Sequence, residues 1–129
     1  MKIIRWVLGR IILLIEFLMT PKGVQRNELA QQKLDTETSQ YSLYQYAACP
    51  FCVKVRHAIK KQNLKIEFRD AKRNEDHRFD LLTHGGELKV PCLRIKKTTG
   101  EDVWLYESDD IIRFLNQRAE EVETVAAVA

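Results

Sequence analysis

The chain has 129 residues, of which 45% are hydrophobic and 30% charged, so one domain can build its core without disulfides or a structural metal. The net charge of +3 lies mostly in the first twenty residues, and the rest carries 18 basic and 17 acidic side chains, which implies no nucleic-acid partner. Three cysteines are too few, and odd in number, for the disulfide framework of a small secreted domain.

Residues 1–20 are strongly apolar and predict a hydrophobic N-terminal helix. One narrow stripe of its helical wheel is polar and carries Lys2, Arg5, Gly9 and Glu16. The segment barely reaches the length of a bilayer span, and no signal-peptide cleavage site follows it. We predict a membrane anchor that lies in the interface or spans weakly; the alternative is an amphipathic helix packed on the domain or on a partner subunit.

The rest of the chain divides by composition into three parts. Residues 21–40 are mostly polar and predict a linker with a short, weakly patterned helix. Residues 41–120 alternate strand and helix patterns, which is typical of one α/β domain. Residues 121–129 predict a frayed tail.

Within the domain, the patterns predict the element order β-α-β-α-β-β-α. Strands are predicted at residues 41–46, 64–69, 90–95 and 102–106. Helices are predicted at residues 50–63, 74–82 and 109–118. Gly85 and Gly86 mark the end of the second of these helices, and Ser108 is the predicted cap of the third.

Cys49 and Cys52 form a C-x-x-C pair between the first strand and the first helix of the domain. A zinc site would need two further ligands at close spacing. The other candidate ligands are scattered, at His57, His77, His84 and Cys92. A pair placed between a strand and a helix favours redox chemistry, with two structural helix cysteines as the alternative.

Cys49 precedes the helix, where unpaired backbone N–H groups and the helix dipole stabilise a negative charge. This position raises the thiolate fraction and makes Cys49 the predicted nucleophile. Pro50 suits the first helical turn, where no N–H donor is needed. Cys52 lies one turn deeper on the same face, and we predict that it resolves a mixed disulfide formed on Cys49.

Two further positions carry weaker signals. Pro91 lies inside a predicted strand, where it cannot donate a backbone hydrogen bond to a neighbouring strand. One interpretation is a cis Val90–Pro91 bond that leaves the Val90 backbone open to an extended ligand. The other is an ordinary proline in an edge strand. Ser108, between Glu107 and Asp109, begins the last helix, where free N–H groups either bind a carboxylate or are simply capped.

Three segments, LYQYAACPFCVKVR (43–56), KVPCL (89–93) and YESDDIIRFL (106–115), together resemble the glutaredoxin family and the related N-terminal domain of glutathione S-transferases. The resemblance covers about residues 41–118 and implies a thioredoxin-like fold, Cys49 as nucleophile, Cys52 as resolving thiol, and glutathione as electron donor, with no metal. The glutathione site implied by motif position comprises Phe51, Val90, Pro91, Glu107, Ser108 and Asp109. The anchor and linker also resemble those of bacterial glutaredoxin-like proteins with a short hydrophobic N-terminus.

The chain departs from the family pattern at two positions. Tyr46 stands where many glutaredoxins have a lysine that contacts the glycine carboxylate of glutathione. Either the affinity for glutathione is therefore lower, or another base such as Lys54, Arg56 or Lys89 takes the place of that lysine. Cys92 follows Pro91, at a position where an aliphatic residue is common in the family. We predict that its thiol is buried in the core, and the alternative is an extra redox-active thiol.

The sequence therefore predicts a membrane-tethered, glutathione-dependent oxidoreductase that reduces protein or glutathione mixed disulfides. Its domain is expected on the cytoplasmic side, where glutathione is kept reduced. The alternatives are a non-catalytic glutathione-binding adaptor at the membrane, a thioredoxin-like reductase that does not use glutathione, and an iron–sulfur carrier, which Pro50 disfavours in the family pattern. We expect no second helical domain of the kind that a conventional transferase needs.

Overall fold

The computed structural model describes residues 2–18 and 23–128. Residues 1, 19 and 20 of the predicted anchor, residues 21 and 22 of the predicted linker, and Ala129 of the predicted tail lie outside the described part. The helices are α1 Lys2–Leu18, α2 Glu28–Thr38, α3 Pro50–Lys61, α4 Glu75–Thr83 and α5 Ser108–Val128. The strands are β1 Tyr41–Gln45, β2 Glu67–Asp70, β3 Cys92–Ile95 and β4 Val103–Tyr106. The predicted order β-α-β-α-β-β-α is confirmed from β1 onward, in keeping with the predicted thioredoxin-like α/β fold.

The four strands form one sheet in the order β2-β1-β3-β4. β1 and β2 are parallel, whereas β3 is antiparallel to both β1 and β4. Tyr44 pairs with Cys92, which in turn pairs with Tyr106, so the ends of β1 and β4 meet the start of β3. The end of β2 lies at the same edge, because Gln45 pairs with Asp70. We call this the carboxyl edge of the sheet.

Helices cover both faces of the sheet. On one face, α2, α3 and α5 pack on the strands around Leu34, Leu43, Val55, Leu93, Ile111 and Leu115. On the other face, α4 covers a smaller cluster of Tyr44, Ala71, Leu81 and Cys92. Cys92 is fully buried, as the core-thiol interpretation predicts, and burial raises the pKa of its thiol to about 12. It is therefore protonated and inaccessible near neutral pH.

The segment predicted as a polar linker is packed on the domain. α2 buries Ala30, Leu34 and Thr38, which recur every four residues and so lie on one face of the helix. Ion pairs also join the segment to α5, one between Arg26 and Glu123 at 2.6 Å and another between Glu37 and Arg118. The sequence pattern did not predict this packing, because only three residues of α2 form the buried stripe and the rest of the segment is polar.

The last helix is longer than the sequence predicted. We expected it to end near Arg118 and the chain to fray from residue 121, but α5 continues to Val128. Ala119 and Val122 are buried in the core and extend the stripe that begins with Ile111 and Leu115. The extra turns are stabilised because this stripe packs beside α2.

The N-terminal helix α1 lies against α3. Among residues 2–18 and 23–128, no helix is both long and apolar enough to cross a membrane. The partly buried positions of α1 are Gly9, Ile12, Leu13 and Glu16, which lie on one face, and its other described residues are exposed. This position agrees with the alternative of an amphipathic helix packed on the domain, and the spanning interpretation gains no support.

Candidate functional site

Cys49 occupies the residue immediately before α3, which begins at Pro50 as the sequence predicts. Its backbone is extended (φ −79°, ψ 124°), and its carbonyl accepts a hydrogen bond from the Val53 N–H at 2.9 Å. No side chain caps the helix here, and Cys49 is partly exposed. Phe51, in the first turn, is also exposed. An accessible thiol therefore lies at a helix end that favours a negative charge.

Cys52 lies one turn into α3 and is fully buried. Its Sγ accepts a hydrogen bond from the Tyr46 N–H at 3.5 Å, which ties it to the turn formed by residues 46–49, here called the Cys49 turn. Burial raises the pKa of the Cys52 thiol to about 12, and the neighbouring Cys49 adds to the effect. Of the two thiols, Cys49 is thus the one that an incoming molecule can reach, and Cys52 stays protonated near neutral pH.

The residues around Pro91 lie beside the Cys49 turn at the carboxyl edge. Tyr46 and Val90 each lie two residues beyond the Tyr44–Cys92 pair, and both pack on the cluster beneath α4. Pro91 is buried, and the Val90–Pro91 bond is cis. Of the two alternatives for this proline, the cis bond is the one present.

The start of α5 lies at the same edge, but its cap differs from the prediction. The helix begins at Ser108, which is buried, and the Glu107 carbonyl accepts the first helical hydrogen bond, from Ile111 at 3.0 Å. Glu107 has a positive φ of 72°. The capping position therefore belongs to Glu107, one residue earlier than predicted, because the chain turns sharply there from β4 into the helix.

Two exposed ion pairs surround the start of α5. Lys54 of α3 pairs with Asp109, which holds the pKa of that carboxyl below its usual range. Lys89 pairs with Glu107 at 2.6 Å, which raises the pKa of the lysine. Two of the three predicted substitutes for the missing lysine of the family are therefore paired with acidic residues at the same edge.

Arg56, the third predicted substitute, is buried and holds the Cys49 turn in place. Its guanidinium donates to the carbonyls of Tyr46 and Ala47, at 3.4 and 2.7 Å, and to the Gln45 side chain at 2.6 Å. It also forms an ion pair with Glu16 of α1 at 2.8 Å. The prediction that Arg56 contacts a ligand is therefore not supported, since its donors are used within the protein.

A cleft of about 350 Å³ opens beside Cys49, between α1 and the turn after β2. Its charged lining residues are Arg5, Arg10, Asp70, Lys72 and Arg73, of which the sequence pattern singled out only Arg5. The polar stripe of α1 was the available signal, because Arg5, Gly9 and Glu16 of that stripe face the domain. What the stripe contacts depends on tertiary packing, which the helical wheel does not specify.

The part of the chain that the structure describes contains no group of three or more His, Cys, Asp or Glu residues arranged to hold a metal ion. Comparison with known families matches residues 43–123, more than half of the chain, to the family described as glutathione S-transferase, N-terminal domain. No curated protein matches the chain. The matched range contains Cys49, Cys52, Pro91 and Ser108 but neither α1 nor α2.

Proposed function

The chain belongs to the glutathione S-transferase N-terminal domain family, and on that premise we propose that it is a glutathione-dependent thiol–disulfide oxidoreductase of the glutaredoxin type. The observation that carries the proposal is the position of Cys49. It is a partly exposed thiol at the amino end of α3, at the same edge of the sheet as Pro91 and Ser108, with a buried second thiol one turn deeper. This arrangement suits one thiol for attack and the other for resolution.

In the proposed reaction, the Cys49 thiolate attacks the glutathione sulfur of a mixed disulfide. A bond forms between these two sulfurs, the substrate disulfide breaks, and the substrate thiolate leaves and takes up a proton. A second glutathione thiolate then attacks the glutathione sulfur on Cys49, which releases glutathione disulfide and restores the Cys49 thiolate. Cys52 offers an alternative resolution through a Cys49–Cys52 disulfide, for which it must first lose its proton.

Glutathione is proposed to bind between the first turn of α3, the Val90–Pro91 segment and the start of α5. Its carboxylates suit the N–H groups at the start of α5, and its ammonium suits the carboxylates there. The residues proposed to line the groove are Phe51, Val90, Pro91, Glu107, Ser108 and Asp109. The Lys54–Asp109 and Lys89–Glu107 pairs are exposed, so glutathione exchanges with them at little cost.

The test is the reduction of a glutathione mixed disulfide by the full chain, with electrons supplied either by glutathione and its reductase or by thioredoxin reductase. We expect turnover with glutathione and none with thioredoxin reductase alone. The reverse pattern would identify a thioredoxin-like reductase. Binding of glutathione without turnover from either donor would identify a non-catalytic adaptor.

We also propose that the outer face of α1 lies in a membrane interface, with the domain on the cytoplasmic side. The helix turns its polar stripe to the domain and exposes large apolar side chains, including Ile3, Trp6, Phe17 and Leu18. This face is interrupted by Arg10, whose guanidinium lies 5.6 Å from the centre of the Trp6 ring. An exposed surface that is otherwise apolar is expected to lie on a partner or a lipid surface. Glutathione chemistry needs a reducing pool, which favours the cytoplasmic side.

Replacing one apolar residue of this face tests the membrane proposal. Phe17 is 77% exposed, and Phe79, on α4, is 62% exposed and far from α1 in sequence. We expect Phe17→Ser to weaken binding to vesicles of phosphatidylethanolamine and phosphatidylglycerol about tenfold, and Phe79→Ser to leave it unchanged. Co-sedimentation measures both variants. Equal binding by the two variants and the wild type would contradict the proposal.

A further inference from the structure

Cys49 has two different flanks at the carboxyl edge. Because β1 lies between β2 and β3, the turn after β2 is on one side of the Cys49 turn, and the Val90–Pro91 segment is on the other. The proposed glutathione groove uses the Val90–Pro91 side. The cleft beneath α1 lies on the opposite side, and Cys49 is one of its lining residues.

The cleft has a surplus of positive charge. Arg5 and Arg10 come from α1, and Lys72 and Arg73 from the turn after β2. Within residues 2–18 and 23–128, none of these four side chains forms an ion pair with a carboxylate. The Asp70 carboxylate in the cleft accepts hydrogen bonds from the backbone N–H groups of Lys72 and Arg73, at 2.9 and 3.0 Å. Such a concave, positive surface attracts anions.

Two contacts hold α1 in position over the cleft. Gly9 packs so closely on the Cys49 turn that a Cβ atom added to it would lie 3.2 Å from the Cβ of Ala48. About two turns further along, Glu16 binds Arg56, the residue that also holds the carbonyls of the Cys49 turn. Arg5 lies one turn before Gly9 on the same stripe, so it is carried on a docked helix rather than on a free segment.

We propose that this cleft binds the leaving half of the disulfide substrate and selects halves that carry a carboxylate. The inference rests on the proposed function. With glutathione on the Val90–Pro91 side of Cys49, the cleft is the surface left on the other side, and the second half of the disulfide is placed there, near Arg5, Lys72 and Arg73. When its bond to glutathione breaks, the departing thiolate carries the negative charge past these cations, which stabilise it. The preferred partners are therefore acidic thiols and glutathionylated acidic segments.

Three glutathione mixed disulfides test the selection, with mercaptopropionate, mercaptoethanol or cysteamine as the anionic, neutral or cationic leaving half. Each kcat/KM is divided by the rate constant of free glutathione with the same disulfide, which removes differences in leaving-group chemistry. For the wild-type chain we expect the normalised value for mercaptopropionate to exceed that for cysteamine at least about tenfold. Added salt is expected to shrink this ratio, because it screens the exposed cations.

Charge-reversing variants locate the selection in the cleft. We expect Arg5→Glu and Lys72→Glu each to lower the ratio about fivefold or more, because each replaces an attraction by a repulsion. Lys2→Glu makes the same change of charge on α1 at a residue that does not line the cleft, and we expect it to keep the wild-type ratio. All three residues are exposed, so none of the changes disturbs the core.

Failure of this inference is distinguishable from failure of the proposed function. Turnover of all three disulfides at equal normalised rates would overturn the inference and leave the proposed function intact. A wild-type preference that Arg5→Glu and Lys72→Glu both leave unchanged would also overturn it. Absence of turnover with the neutral disulfide as well as the charged ones would overturn both.

Discussion

Replacing Cys49 by serine is expected to lower glutathione-coupled reduction of a mixed disulfide at least about a hundredfold, because a hydroxyl cannot replace the thiolate as nucleophile toward sulfur. Replacing Cys52 by serine is expected to keep most of the activity, since a second glutathione resolves the intermediate without it. The measurement is the initial rate with glutathione, its reductase and a neutral mixed disulfide.

Cys92→Ala is the matched control, because it removes the third cysteine, whose thiol is fully buried in the cluster beneath α4 and cannot meet a substrate. We expect it to keep the activity and to lower stability only. Loss of activity in both Cys49→Ser and Cys52→Ser would assign turnover to the two-thiol route. Activity that persists in Cys49→Ser would refute Cys49 as the nucleophile.

Replacing Arg56 by leucine is expected to lower the free energy of unfolding by about 3 kcal/mol, because it leaves the poorly exposed Glu16 carboxylate without its main partner. It also removes the guanidinium that donates hydrogen bonds to the carbonyls of Tyr46 and Ala47. Because these bonds hold the Cys49 turn in place, we expect the turn to become less ordered and the activity to fall. Denaturant unfolding measures the first effect, and the coupled assay at a temperature well below unfolding measures the second.

Lys60→Leu is the control for Arg56→Leu. Lys60 is on the same helix and approaches the same carboxylate, but at 3.8 Å and from a more exposed position. We expect its replacement to change stability by at most about 0.5 kcal/mol. Equal effects of the two substitutions would show that the loss reflects net charge near Glu16 rather than the buried hydrogen bonds of Arg56.

The same ion pair gives stability a defined pH dependence. The hydrogen bond from Arg56 holds the pKa of Glu16 below its ordinary value of 4.5, so its contribution is present above that pH and is lost as the pH falls through the lowered pKa. The wild type should therefore exceed Glu16→Gln in stability near neutral pH and approach it on acidification. A difference that stays constant on acidification would assign the effect of Glu16 to packing rather than charge.

The parts of the site that could be predicted from sequence depend on local structure. Cys49 before Pro50 marks a helix start, and the strand patterns together with the order of elements bring Pro91 and Ser108 to the same edge of the sheet. The start of α5 was predicted to within one residue. Glu107 takes the capping position through a positive φ, which its side chain gives no reason to expect.

The parts that could not be predicted depend on tertiary packing. The polar stripe of α1 was identified, but the stripe itself does not specify whether water, lipid or the domain faces it. Arg56 was predicted only as one of three bases that could contact a ligand, and its burial is accounted for by its carbonyl partners and Glu16. The cleft beside Cys49 depends on how α1 packs on the domain and on how Arg56 holds the Cys49 turn. Sequence patterns therefore did not indicate that basic side chains of α1 and of the turn after β2 line one cleft.

The measurement that tests the central claim most directly is the capture of the covalent intermediate. The full-length Cys52→Ser chain is incubated with glutathione disulfide and analysed by peptide mass spectrometry. The account predicts one glutathione per chain, attached to Cys49 and removed by excess reduced glutathione. Absence of an adduct, or an adduct on Cys92 alone, would contradict Cys49 as the glutathione-accepting nucleophile.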